Sequence, residues 1–334
     1  GTVWYGLYVL PFAVIAALAW SVLVSRPISG AAALRIAAWF VAVAVWIPTP
    51  VDGMFLLIVL FAVPAGLDVL FAVGGPATSR APSRLARRLV HAAHMATLPS
   101  GIALAGSLAL PAGPAAALAA LPWVATTGLL GMAALADRLG RGIGPDRALL
   151  PQASLGFAAV GGLLVLDHRL GADPFGFSPF LVLLAAVHFH VAGFVLLTAV
   201  TALSDQRGGH VPLVAGALAI VGGPLTAVGF FGLPGVNVVG AALTVTAGLL
   251  VGLLHLGMAR SAGERLPAWL LGLAGASLLV TMPMAAAWAI GLLTGGELIP
   301  LEAMTRIHGG LNAVGFGLAS MLGWQRLVAG NPGR

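Results

Sequence analysis

Two short blocks hold most of the side chains in this chain that are placed to move a proton. His188 and His190 stand two apart in the segment LVLLAAVHFHVAGFVL (181–196). Thr305, Arg306, His308 and Asn312 crowd the segment MTRIHGGLNAVGFGLASMLGW (304–324), with Glu302 just before it. An imidazole titrates near ~6.5 and gives or takes a proton at neutral pH. A neutral amide or a guanidinium beside it can stabilise developing negative charge. At about 100° per residue, Thr305, His308 and Asn312 fall within about 60° of one another and form one polar stripe of a helix. Glu302 and Arg306 are an i,i+4 pair that neutralises itself near a surface. His188 and His190 point about 200° apart on a helix, so both cannot ligate one metal, which on a helix wants i,i+3 or i,i+4 spacing. One of the two faces a cavity and the other bonds a neighbouring helix. The expected site contains no metal.

The elements that must position these residues are membrane spans. The chain is 60% hydrophobic and 8% charged, with a mean hydropathy of +1.04, against roughly 25% charged residues in a soluble domain. A bilayer core of about 30 Å takes about 20 helical residues to cross. Eleven apolar stretches of that order lie at approximately 4–24, 31–48, 54–74, 89–110, 115–137, 148–166, 178–203, 211–230, 235–257, 267–293 and 303–325. The fold expected is all-α, a polytopic transmembrane bundle forming one domain over 1–334. The sequence shows no convincing internal repeat.

The arginines orient it. Arg80, Arg84, Arg87 and Arg88 fill one gap, Arg138, Arg141 and Arg147 another, and Arg26, Arg207, Arg260, Arg265, Arg326 and Arg334 lie in further gaps and tails of the same parity. The alternate gaps hold only Arg169, beside Asp52, Asp167, Asp173 and Glu297. The positive-inside rule sets the N-terminus outside and the C-terminus in the cytoplasm. This distribution explains the pI of 11.4 better than nucleic-acid binding does. With no basic stretch before the first span, a cleaved signal peptide is not expected. Cysteine is absent, which excludes disulfides and thiolate metal sites. All sixteen basic residues are arginine, the mark of a GC-rich bacterial genome, so the expected location is a bacterial inner membrane.

An ionisable side chain at the bilayer centre costs about 2.5–3.5 kcal/mol on the insertion scale, so each needs a reason. Arg35, near the end of its span, can snorkel. A second polar group comprises Asp68, His91, His94 and His255 at the arginine-rich side. The i,i+3 spacing of His91 and His94 allows a metal or haem site with His255, but snorkelling to the interface is the preferred reading. Asp68 is expected to pair with an arginine of 80–88.

The two histidine blocks resemble the YndJ-like integral membrane proteins, which carry a HFHxAGF block and then an R-x-HGxLNAxGF block. The matching residues are His188, His190, Gly193, Phe194, Arg306, His308, Asn312, Gly315 and Phe316, and GADPFGFS (171–178) and LPWVATTGL (121–129) extend the likeness to about 55–330. The resemblance implies that both blocks belong to one site. It implies no particular activity, and it lends nothing to Asp68 or to His91 and His94.

These readings lead to an intramembrane enzyme that isomerises, cyclises or opens an epoxide on a lipophilic small molecule without a cofactor. His188, His190, His308, Asn312 and Arg306 are its expected catalytic groups, and Thr305, Phe194, Glu302 and Phe316 are expected to touch substrate. The alternatives are a proton-coupled secondary transporter and, third, haem held between histidines of two helices. The reading with no chemistry is that these polar groups only staple helices, at about 0.6 kcal/mol per hydrogen bond.

Overall fold

The computed structural model describes residues 30–41, 49–73, 82–141 and 148–329, and all regular structure among them is helical. The first expected span and part of the second lie outside the described residues. In chain order the helices are α1 (Gly30–Val41), α2 (Val51–Val73), α3 (Arg84–Ala109), α4 (Pro114–Arg141), α5 (Leu149–Leu170), α6 (Pro179–Arg207), α7 (Val211–Gly229), α8 (Pro234–Ser261), α9 (Arg265–Thr294) and α10 (301–329). Their bounds follow the apolar runs of the sequence to within a few residues. Seven of them, α2 and α4 to α9, are long and apolar enough to cross a membrane. The other two long helices owe their polarity to Arg84, Arg87, Arg88, His91 and His94 in α3, and to Thr305–Asn312 in α10.

Three helices form the centre. The apolar windows of α2 and α6 are 72% and 56% buried, against 28–44% for α4, α5 and α7 to α9, and residues 312–321 of α10 are buried without a break. All three centres touch one another. The surrounding helices arrive in two sets, α3–α4–α5 leading into α6 and α7–α8–α9 leading into α10, each packing on the next in the chain. One contact order therefore occurs twice, a repetition of arrangement that the sequence reading did not find. A trace of it stands in the sequence: Gly193–Phe194 and Gly315–Phe316 occupy the fourth helix of each set.

The three central helices share a second property. Each contains π-helical turns, at Ile58–Ala62 in α2, Phe189–Val195 in α6, and Met304–Gly309 and Leu311–Leu318 in α10. Such turns loosen carbonyls from the i−4 ladder and recur at functional sites. Here polar side chains reach them. Arg35 Nη1 donates to the Leu60 carbonyl at 2.8 Å, and Ser154 Oγ donates to the Phe194 carbonyl at 2.9 Å. Arg35 is thus tied inward, with Nη2 on Thr97 Oγ1 at 3.0 Å. Tight packing holds the trio together: a Cβ at Gly66 of α2 would meet Phe194 Cε1 at 2.8 Å. Glycine there is what lets the tip of that ring come close to the neighbouring backbone.

Candidate functional site

His188 is the ninth residue after Pro179, and His308 the seventh after Leu301. At about 1.5 Å per residue both lie some way in from the same end of their helices. The structure brings them together: the ring centres are 6.2 Å apart with planes inclined by only 22°. His188 Nδ1 lies 2.7 Å from the Leu184 carbonyl, and His308 Nδ1 lies 3.0 Å from the Thr281 carbonyl. A carbonyl oxygen only accepts, so each Nδ1 carries the hydrogen and each neutral ring presents a bare lone pair at Nε2. His188 is exposed and His308 is 9% exposed. The pair is therefore reachable from the His188 side and walled on the other.

Thr281 of α9 organises the walled side. Besides its carbonyl on His308, its hydroxyl donates to Asn312 Oδ1 at 2.9 Å. That bond fixes the amide, with oxygen toward Thr281 and the NH2 group turned the other way. One residue sets both the tautomer of His308 and the direction of the Asn312 donors. Ser277, one turn before Thr281, presses its hydroxyl against Gly315, where a side chain would collide with it. The sequence reading missed Thr281 and Ser277. The i,i+4 pair of hydroxyls in an otherwise apolar run was the available signal.

His190 does something different. It is fully buried, with Nδ1 on the Ala186 carbonyl at 2.8 Å and Nε2 accepting from Trp123 Nε1 at 3.3 Å. Its ring stacks on Trp123 and meets the Phe55 edge. Both nitrogens are used, so it ties α6 to α4 and has no lone pair for a substrate. His255 repeats the arrangement in the second set. Its Nδ1 lies 2.9 Å from the Val251 carbonyl, and its Nε2 is 3.1 Å from Trp324 Nε1 and 2.9 Å from Ser320 Oγ.

The remaining expected site residues lie at the margin or in the core. Arg306 Nη2 pairs with Glu302 Oε1 at 2.9 Å, the glutamate side chain 64% exposed. Thr305 Oγ1 donates to the Leu301 carbonyl of its own helix. Phe194 and Phe316 are fully buried. Phe194 packs toward Gly66, and Phe316 packs edge-on against His255. Both serve packing between the central helices. Surface hollows of about 340 Å³ beside Trp288, Gly291 and Glu297, and about 430 Å³ beside Arg84, Arg87, Arg88 and His91, do not include the histidine pair.

The second polar group has different partners from those expected. Asp68 takes His94 Nε2 at 3.0 Å on one oxygen and Gln325 Nε2 at 2.7 Å on the other. Of the arginines of 80–88, Arg80 lies outside the described residues and Arg84, Arg87 and Arg88 point out from α3, whereas His94, two turns further in, meets the carboxylate. With His255 occupied by Trp324 and Ser320, the three inner histidines do not converge. Among the described residues no group of three His, Asp or Glu side chains is placed to hold a metal ion.

The family that this fold and site define is that of the YndJ-like proteins, whose pattern matches residues 53–316. The match runs from α2 to the middle of α10 and takes in His188, His190, Arg306, His308, Asn312 and Phe316, and the chain belongs to that family. No curated protein and no solved structure matches it.

Proposed function

We propose that the protein is an intramembrane enzyme that carries out acid/base chemistry on a lipophilic small molecule at the His188–His308 pair, using its own side chains. The observation that carries this reading is the pair itself: two imidazoles 6.2 Å apart, each held by a carbonyl at Nδ1 and open at Nε2. Positioned imidazoles of this kind contribute about 10²–10⁴-fold to a proton transfer. With one proton on the pair, the neutral ring takes a proton from a substrate carbon at Nε2. The protonated ring returns one from its Nε2–H at another position, which isomerises a double bond or closes a ring. The Asn312 NH2 group, turned away from Thr281, stabilises charge developing on a substrate oxygen.

The reading is tested without knowing the substrate. Purified protein is incubated in D2O with a lipid extract, and deuterium incorporation is followed by mass spectrometry. Incorporation that depends on His188 and His308 supports it. Equal labelling by wild type and both His→Ala variants contradicts it.

The proposal includes eleven spans with the N-terminus outside and the C-terminus in the cytoplasm of a bacterial inner membrane. Thirteen of the sixteen arginines fall on one side in that topology, as the positive-inside rule asks. Cysteines placed near Arg84 and near Asp173 should label from opposite sides, and labelling from one side rejects the scheme.

The repeated order of α3–α6 and α7–α10 favours a second reading, a proton-coupled transporter, because parallel repeats recur among transporter folds. Asp68 with His94 is its coupling group. Solute flux in proteoliposomes that vanishes in Asp68→Asn, with no deuterium incorporation, selects it.

A further inference from the structure

The His188–His308 geometry also suits a metal ion. A ligating imidazole almost always donates its second ring nitrogen to a carbonyl or carboxylate, which fixes the tautomer and aims the lone pair. Both rings meet that condition, on Leu184 and on Thr281. With metal–nitrogen bonds of about 2 Å, two imidazoles on opposite sides of one ion stand roughly 6 Å apart between ring centres. The observed separation is 6.2 Å with planes inclined by 22°.

A Cβ added at Gly309 or Gly310, next to His308, would meet nothing closer than 3.9 Å, so helix packing does not force glycine at either position. Arg306, the nearest cation in sequence, is engaged by Glu302.

We infer that His188 and His308 together bind one borderline or soft metal cation through their Nε2 atoms. Among the described residues no third His, Asp or Glu joins them, which selects a cation satisfied by two trans imidazoles. Cu(I) is one such ion, and iron whose equatorial positions are filled by a porphyrin is the other; imidazole suits both copper and iron. The shared chemistry is the Nε2–metal bond. As a free ion it regulates the site proposed above, because a lone pair on a metal cannot take a proton. That regulatory role rests on the acid/base reading, whereas the binding itself does not.

The experiment strips the purified protein with a chelator, titrates it with Cu(I) against a competing chelator, and records the absorbance of the protein as first purified. The expected result is one equivalent of Cu(I), with affinity falling tenfold or more in His188→Ala and in His308→Ala, and unchanged in His91→Ala at the far end of the bundle. Because His188 is exposed, its variant keeps the test valid if His308→Ala folds poorly. A Soret band in the wild type that His188→Ala removes also supports the site and identifies haem iron as the source. Equal Cu(I) affinity in wild type and both variants, with no Soret band, overturns the proposal. Deuterium incorporation separates the two ideas: copper bound at His188 and His308 while labelling proceeds unchanged sinks the acid/base reading and leaves the metal site standing. Labelling that requires both histidines in a protein that binds no metal does the reverse.

Discussion

Two pairs of histidines sit inside this bundle on the same scaffold, and they differ in one nitrogen. His190 and His255 bond a carbonyl one turn back at Nδ1 and accept an indole N–H at Nε2. His188 and His308 also bond carbonyls at Nδ1, but they lie beside each other, 6.2 Å apart between ring centres, and neither Nε2 accepts from an indole. A buried polar group without a partner costs about 1–3 kcal/mol. The first pair meets that demand fully and so works as fastening. In the second, the buried His308 meets it by half, and the exposed His188 carries no such cost. The difference lies in what stands opposite the ring, a tryptophan or another histidine.

The largest effect that can break the comparison is on rate. His308→Ala should lower turnover by at least about 10²–10⁴-fold while leaving the thermal midpoint within a few degrees, as measured by deuterium labelling and by unfolding in detergent. Next is His255→Ala, which should do the opposite. It strands the Trp324 indole N–H and the Ser320 hydroxyl and opens a cavity, at a cost of about 3 kcal/mol or more in unfolding free energy. Gly315→Ala should follow at about 1–3 kcal/mol, because its Cβ would press on the Ser277 hydroxyl and overpacking costs that much.

Thr281→Val keeps the shape and the carbonyl but frees the Asn312 amide. It should cost about 1 kcal/mol in stability and lower the rate more than that suggests. Glu302→Gln should be smallest, below about 1 kcal/mol, since the glutamate side of the ion pair with Arg306 is solvent-exposed. A reversal between His308→Ala and His255→Ala would erase the distinction between working and fastening histidines.

Much of this was legible in the sequence, and the reasons are physical. Span positions follow from the length of apolar runs, so α2 to α10 fall where hydropathy puts them. That one of His188 and His190 faces away from the other follows from helical geometry. Which one does so depends on Trp123, and a tryptophan inside an apolar span reads as one more hydrophobe. The same holds for Trp324 and His255. Asp68 illustrates the opposite failure: charge alone points to the arginines of 80–88, but side-chain reach along α3 gives the carboxylate to His94. Phe194 and Phe316 stand among polar motif residues in the chain, yet their size and apolarity send them to the contacts between central helices. The repeated order of helices left only a Gly–Phe pair in each set, because packing constrains shape more than identity.

The most direct measurement is a density map of the protein purified with lipids of its own membrane. The account predicts density for a bound molecule or ion within about 4 Å of Nε2 of His188 and of His308, the distance of a contact, with His190 and His255 enclosed by protein. Side chains of the bundle packed directly onto both Nε2 atoms, leaving no space between the rings for any ligand, would contradict it.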